Sequence, residues 1–171
     1  KQVWRAPGAG RINDRGVAWG DWDQDGRDEL ALSRGDSNNV RVFGWDPKKK
    51  AFIQEWKRKI GHAFGVEWGD YDGDGDLDLG VASYRGGAST VYRNVGGDLL
   101  RAWSARKSWS PDISFGDWDG DGDQEIADIR FGSNSNGGPN LVYESQQGAY
   151  GQAWKESSST RTNAGEWGDY D

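Results

Sequence analysis

The 171-residue chain contains no cysteine, no methionine, one histidine and only four prolines. Absence of cysteine excludes a disulfide framework and a thiolate metal site, and leaves the cellular compartment open. With His62 as the one imidazole, a zinc site is not expected either. No apolar stretch approaches the ~20 residues of a membrane-spanning helix, so no membrane insertion is expected. Also missing are a signal-peptide pattern, an Asn-x-Ser/Thr acceptor, a phosphate-cradling Gly-rich motif and a nucleophile elbow. Helix signals are weak, because glycine interrupts any longer stretch.

What is present is distinctive. Mean hydropathy is low, yet there are 11 Trp, 6 Tyr and 5 Phe, aromatics that a disordered acidic chain would lack. The 27 glycines beside so few prolines suit an all-β chain with many tight turns. The length suffices for one domain with a sizeable core.

One acidic loop recurs: DWDQDGRDEL from Asp21, DYDGDGDLDL from Asp70 and DWDGDGDQEI from Asp117, with a fourth start at Asp169-Tyr170-Asp171. The starts lie 49, 47 and 52 residues apart, the spacing of an array of one supersecondary unit. Of the 28 acidic residues, 18 lie in or beside these loops. The remaining ten face 21 Lys and Arg, so outside the loops the chain is basic by +11 although its net charge is -7. Three divalent ions would bring the total to about -1. Acidity here reads as ligand supply.

Around each loop the pattern repeats. An apolar segment ends in an aromatic-Gly-Asp step, Trp19-Gly20-Asp21, Trp68-Gly69-Asp70, Phe115-Gly116-Asp117 and Trp167-Gly168-Asp169. A period-2 strand leaves the loop at Glu29, Asp78 or Glu125. A Gly, Ser and Asn connection leads to a third strand near Val40, Ser89 or Asn140. A fourth carries Trp56, Trp103 or Trp154, with Trp4 as the counterpart from a preceding unit. Four antiparallel strands per unit of about 50 residues is the signature of β-propeller blades. The expected organisation is a single propeller segment over 1–171 with full blades at about 16–58, 64–106 and 113–157. Residues 1–6 would be the last strand of one further blade, and 164–171 the start of another. Three blades cannot close a ring, since propellers take about four to eight. The chain therefore reads as an excerpt of a longer propeller, the alternative being completion by neighbouring chains.

Five carboxylates in nine residues repel one another unless a cation sits among them. Calcium wants six to eight oxygens in flexible geometry, and alternating Asp in a tight loop delivers them. Candidate ligands at the first, third and fifth positions are Asp21, Asp23, Asp25; Asp70, Asp72, Asp74; and Asp117, Asp119, Asp121. Gly26, Gly75 and Gly122 follow, at a sharp turn. The seventh residue, Arg27, Asp76 or Asp123, would offer its backbone carbonyl, and Glu29, Asp78 or Glu125 closes the sphere. Asp169 and Asp171 would begin a fourth site. An EF-hand is excluded, because position 12 is Leu32, Val81 or Asp128 and a strand follows where a helix is required. Magnesium prefers fewer carboxylates and more retained water. Three calcium ions are expected, one per complete loop.

These residues resemble the FG-GAP/VCBS repeat. The likeness rests on DxDxDGxxD/E, the apolar alternating strand behind it and the aromatic-Gly step before it, and it covers essentially the whole chain. Phe115-Gly116 even keeps the family's Phe-Gly. The resemblance implies β-propeller blades with calcium in a hairpin loop of each, as in the integrin α-subunit head. Such repeats also occur in bacterial secreted and surface proteins, some lectins and some polysaccharide lyases. Glu29 and Glu125 are longer than the family's usual Asp, and Asp128 puts a charge where the strand pattern expects an apolar side chain.

Other features read more plainly. Trp4, Trp56, Trp103 and Trp154 recur at one place in the repeat, as do Trp19, Trp68 and Trp167, which suits packing between blades. Trp22, Tyr71, Trp118 and Tyr170 sit within the loops and would shield one side of an ion. Trp45 and Trp109 lack a counterpart in every unit and are candidates for an exposed role. His62 reads as a surface turn. Lys48-Lys49-Lys50 reads as a solvated hairpin tip, too little for a nucleic-acid stripe, so no nucleic acid is expected. Calcium affinities of about 10⁻⁴ to 10⁻³ M, usual for extracellular modules, point to a secreted or cell-surface protein. The expected function is a non-enzymatic, calcium-stabilised binding or scaffolding module, for adhesion or for recognition of a surface glycan or extracellular protein. The alternatives are part of a propeller-type polysaccharide lyase or hydrolase, and a structural repeat of a surface filament.

Overall fold

In the computed structural model, which describes residues 14–35, 39–132, 138–146, 149–158 and 161–168, each repeat folds as one antiparallel sheet. The first contains β1 (Asp14–Gly20), β2 (Glu29–Arg34), β3 (Asn39–Asp46) and β4 (Ala51–Lys59), side by side in chain order. The second contains β5 (Ala63–Gly69), β6 (Asp78–Ser83), β7 (Thr90–Asn94) and β8 (Leu99–Ser104). The third contains β9 (Asp112–Gly116), β10 (Glu125–Ile129), β11 (Leu141–Gln146) and β12 (Ala149–Lys155). The described residues contain no helix. The protein is all-β, and its three four-stranded sheets are propeller blades. The expected strand at 1–6 with Trp4, the acids Asp169 and Asp171, and most of the loop after Gly132 lie outside the described residues.

Burial follows strand position. β6, second in the middle sheet, is buried along its whole length, since β5 and β7 flank it and a sheet lies against each face. That explains why Leu79-Gly80-Val81-Ala82 reads as a continuous apolar run. The fourth strands β4, β8 and β12 lie at the outer edges and are mostly exposed. First strands meet first strands, β1 against β5 and β5 against β9. The core is therefore split in two. One cluster, including Val42, Trp56, Val66, Trp68, Leu79 and Tyr92, joins the first two sheets. The other, including Val91, Ile113, Phe115, Ile126 and Tyr143, joins the second and third.

The aromatic-Gly step is the device that spaces the sheets. A Cβ placed on Gly20 would collide with the Trp68 ring, one on Gly69 with Phe115, and one on Gly116 with Trp167. Each glycine thus leaves the room that the next unit's aromatic fills, and the two halves of the step interlock from blade to blade. Trp56 and Trp68 are buried as expected, and Trp103 is half-buried against Tyr143 and Tyr150. Trp19 and Trp154 depart from the packing expectation, at 54% and 44% exposed. Trp19 points to the face of β1 away from β5, where Phe52 is its ring neighbour at 5.9 Å.

Candidate metal centre

Each acidic loop joins the first strand of a blade to the second, so all three open at the same end of the sheets. Their backbone is folded by their own carboxylates. Asp21 accepts the N–H groups of Asp25 and Gly26, both at 2.9 Å. Asp70 accepts those of Asp74 and Gly75 at 3.1 and 3.0 Å, and Asp117 those of Gly120 and Gly122 at 2.7 and 3.1 Å. The fifth-position acids Asp25, Asp74 and Asp121 each take the N–H two residues on, all at 3.0 Å. These are turns of the kind that short acidic side chains favour.

Two backbone positions per loop are left-handed. Gly26, Gly75 and Gly122 have φ of 86°, 88° and 96°, as the turn reading expects, and Gln24, Gly73 and Gly120 have φ of 58°, 72° and 77°. Sequence reasoning missed the fourth position, although glycine there in two of three loops was the available signal.

Ligand atoms of Asp21, Asp23 and Glu29 come within 4.8 Å of one another, as do those of Asp70, Asp72 and Asp78, and those of Asp117, Asp119 and Glu125. The structure therefore gathers the first, third and ninth positions. Asp25, Asp74 and Asp121 lie outside these groups and hold the turn. At the seventh position, Arg27 pairs with Asp25 at 2.6 Å, Asp76 accepts the Gln24 amide at 2.5 Å, and Asp123 donates its N–H to Asp121. Asp169 and Asp171 fall outside the described residues.

The ninth-position acids are buried, Glu29 to 2%, Asp78 to 0% and Glu125 to 1% exposure. Asp78 accepts the N–H groups of Tyr71 at 2.8 Å and Asn94 at 2.7 Å, and Glu125 that of Trp118 at 3.0 Å. Burial, followed by the charges of Asp23, Glu55 and Asp25, raises Glu29 to a pKa of about 7. Burial likewise raises Asp78 to about 7 against the pull of its two backbone donors, and raises Glu125. Glu29 Oε2 and Asp72 Oδ1 are buried without a hydrogen-bond partner. Crowded carboxylates, some with orphaned oxygens, fit a hard cation: all donors are oxygen, and a divalent charge would offset both the burial and the lesser mutual repulsion that raise the pKa values.

Several supporting residues were not anticipated. Gln24 reaches from the first loop to the Gly75 carbonyl and Asp76 of the second, while Gln124 accepts the Asp70 N–H from the third. Neighbouring loops are thereby stitched together. Glu55, on β4, accepts the Trp22 indole N–H at 3.3 Å and adds negative charge beside Glu29. Trp22 and Tyr71 are buried, stacked on Trp68 and Tyr150 of the next blade, whereas Trp118 is 46% exposed.

Asp128, the charge out of pattern, is fully buried. It accepts the Ser89 hydroxyl at 2.7 Å across the blade interface and pairs with Arg130 at 2.8 Å, which in turn donates to the Tyr143 hydroxyl at 3.1 Å. Its role is to cross-link the second and third sheets, away from the loops.

No curated protein matches the chain. The pattern of FG-GAP-like repeats matches residues 21–81 and 70–127, spanning the first loop through the strand behind the third. With this match on the repeated loop and strand, the chain belongs to the FG-GAP-like repeat family.

Proposed function

We propose that this chain is a calcium-stabilised, non-enzymatic binding module of a secreted or cell-surface protein, with one calcium ion in each complete loop. The carrying observation is the threefold recurrence of one carboxylate group, built from first, third and ninth positions, with a buried acid at its base. Family membership supports a repeat module of this kind. Calcium is favoured over magnesium because three carboxylates meet in each group, more than the one or two that magnesium usually takes. The ion pins the connection between first and second strands of each blade, which charge repulsion would otherwise open.

Thermal melts in millimolar calcium and in EDTA test the reading, together with calorimetric ion counting. At ten to a hundred times Kd, each ion contributes about 1.4–2.7 kcal/mol, so the melting temperature falls steeply on chelation. Replacing Asp72 and Asp74 together by Ala removes one ion of three. An EDTA melt superposable on the calcium melt would overturn the proposal.

A further inference from the structure

At the end of the blades opposite the acidic loops, the chain departs from its own repeat. The residue six places before each loop is Arg15, Phe64, Pro111 or Asn163, so nothing in the repeat calls for an aromatic there. Phe64 nevertheless meets Tyr84 at 5.3 Å between ring centroids, and Tyr84 meets Trp109 at 4.9 Å and Phe131 at 6.1 Å. All four rings are only half-buried, and none belongs to either core cluster. Phe64 lies at the start of β5, while Tyr84, Trp109 and Phe131 come from three different connections between strands, and the packing of blades brings them together.

The assembly is held by backbone bonds that cross between segments. Tyr84 N–H donates to the His62 carbonyl at 2.9 Å, Phe131 N–H to Trp109 at 2.7 Å, and Gly65 N–H to Pro111 at 3.0 Å. His62 and Arg85 adopt left-handed backbone, φ 57° and 59°, a conformation that non-glycine residues hold only where surroundings impose it. The rings are thus fixed before any ligand arrives.

Cations surround them. The Arg15 guanidinium lies over Phe64 at 4.6 Å and that of Arg161 over Phe131 at 5.4 Å, and Arg85 is exposed in the turn after Tyr84. Two adjoining cavities, of about 310 and 80 Å³, share Arg15, Phe64 and Tyr84 in their walls. Among the described residues no carboxylate lines either one. The larger lies at the small end of ligand pockets, about 300–1,000 Å³.

We propose that this cleft binds an acidic glycan, with a uronate carboxylate held by the arginines and pyranose C–H faces laid on the aromatic rings. Aromatic faces are electron-rich and meet polarised C–H groups, and a guanidinium fork matches a carboxylate in two parallel hydrogen bonds. Arg15 and Arg85, which line the cavities, offer a carboxylate a charged partner that a neutral sugar cannot use. A nucleic acid needs many phosphates neutralised, more than the arginines here supply on a chain of net charge -7. The inference deepens the binding-module reading and takes from it only that the chain is folded in calcium.

The test titrates the full chain in calcium with an oligoglucuronate, its neutral oligoglucose counterpart and an oligoglutamate, followed by tryptophan fluorescence and calorimetry. The acidic sugar is expected to bind about tenfold or more tighter than the neutral one, with Phe64→Ala and Arg85→Gln, both in the cavity walls, each weakening it by a similar factor. Arg85 is exposed, so its variant keeps the fold even where the Phe64 variant does not. Equal binding of both sugars, binding of oligoglutamate alone, or silence towards all three at millimolar concentration overturns the proposal. Melts of the same samples score the calcium reading separately: a calcium-dependent melt with no sugar binding sinks only the glycan, and the reverse result sinks only the calcium.

Discussion

The two ends of these blades are built on opposite plans. At one end the three loops are near copies of each other, acidic, and folded by their own side chains. At the other, the connections differ from unit to unit, carry exposed arginines beside half-buried aromatic rings, and are tied together by bonds between segments. Repetition marks a task that every blade needs, here the closing of its first hairpin by acidic side chains that could hold a metal ion. Departure from the repeat marks what only one place in the molecule does. The ends also differ in what holds them: carboxylates bonded to their own loop's backbone on one side, and backbone bonds between separate segments on the other.

Asp128 gives the sharpest way to break that contrast. It is buried at the basic end of β10 with Ser89 and Arg130 as partners, and removing one member of such a pair leaves an uncompensated charge. Asp128→Ala is expected to cost about 3–5 kcal/mol in denaturant unfolding. If the two ends are independent, that cost is the same in calcium and in EDTA. A cost that shrinks markedly on chelation would show that the loops and the buried pair form one cooperative unit.

A smaller effect separates two kinds of glycine at the loop end. Gly69 stands where the Phe115 ring leaves no room for a Cβ, whereas Gly75 has open space but φ of 88°. Gly69→Ala is expected to cost about 1–3 kcal/mol by overpacking and to loosen the second sheet from the third. Gly75→Ala instead strains its own loop and weakens calcium binding there. Denaturant melts combined with ion counting distinguish the two. Should Gly69→Ala lower calcium occupancy while leaving stability intact, the interlocking of aromatic and glycine would not be what spaces the blades.

Much of this was legible in the sequence, for a physical reason. The loop chemistry and the period-2 strands are local, so DxDxDGxxD/E and its neighbours announced the blades, the acidic sites and the left-handed sixth residue. What depends on contact between units was not legible. The aromatic-Gly step was visible as a motif, but that each glycine receives the next unit's ring is a fact of three dimensions. Asp128 looked like a fault in its strand because its partners lie 39 residues back and two residues ahead. The fifth-position acids were read as ligands from their alternation; that each also accepts the N–H two residues on, through one oxygen, was not visible in that pattern. The aromatic cleft joins Phe64, Tyr84, Trp109 and Phe131, of which only Trp109 stood out in the chain.

Between the two ends, a groove of about 600 Å³ runs along the first strands, and Glu67 in its wall probes whether the middle of the molecule takes part in either plan. Burial first, then the charge of Asp112, raises Glu67 from 4.5 to about 7, with Glu166 adding to the effect and hydrogen bonds from the Phe115 backbone and Ser114 opposing it. The folded state therefore holds a proton that the unfolded chain releases. That contribution to stability is fully present below about pH 4.5 and is lost as pH rises through 7. Glu67→Gln keeps the shape and cannot ionise, so the variant should match the wild type near pH 4.5 and exceed it increasingly up to neutrality. The gain should be the smallest of the three effects, because water in the open groove screens the charge. Glu29 and Asp78 titrate in the same window, but they are common to both proteins and cancel in the difference. A difference that stays flat from pH 4.5 to 7 would mean that Glu67 is ionised throughout, its neighbours having rearranged to accommodate the charge. The groove would then be tied to neither end.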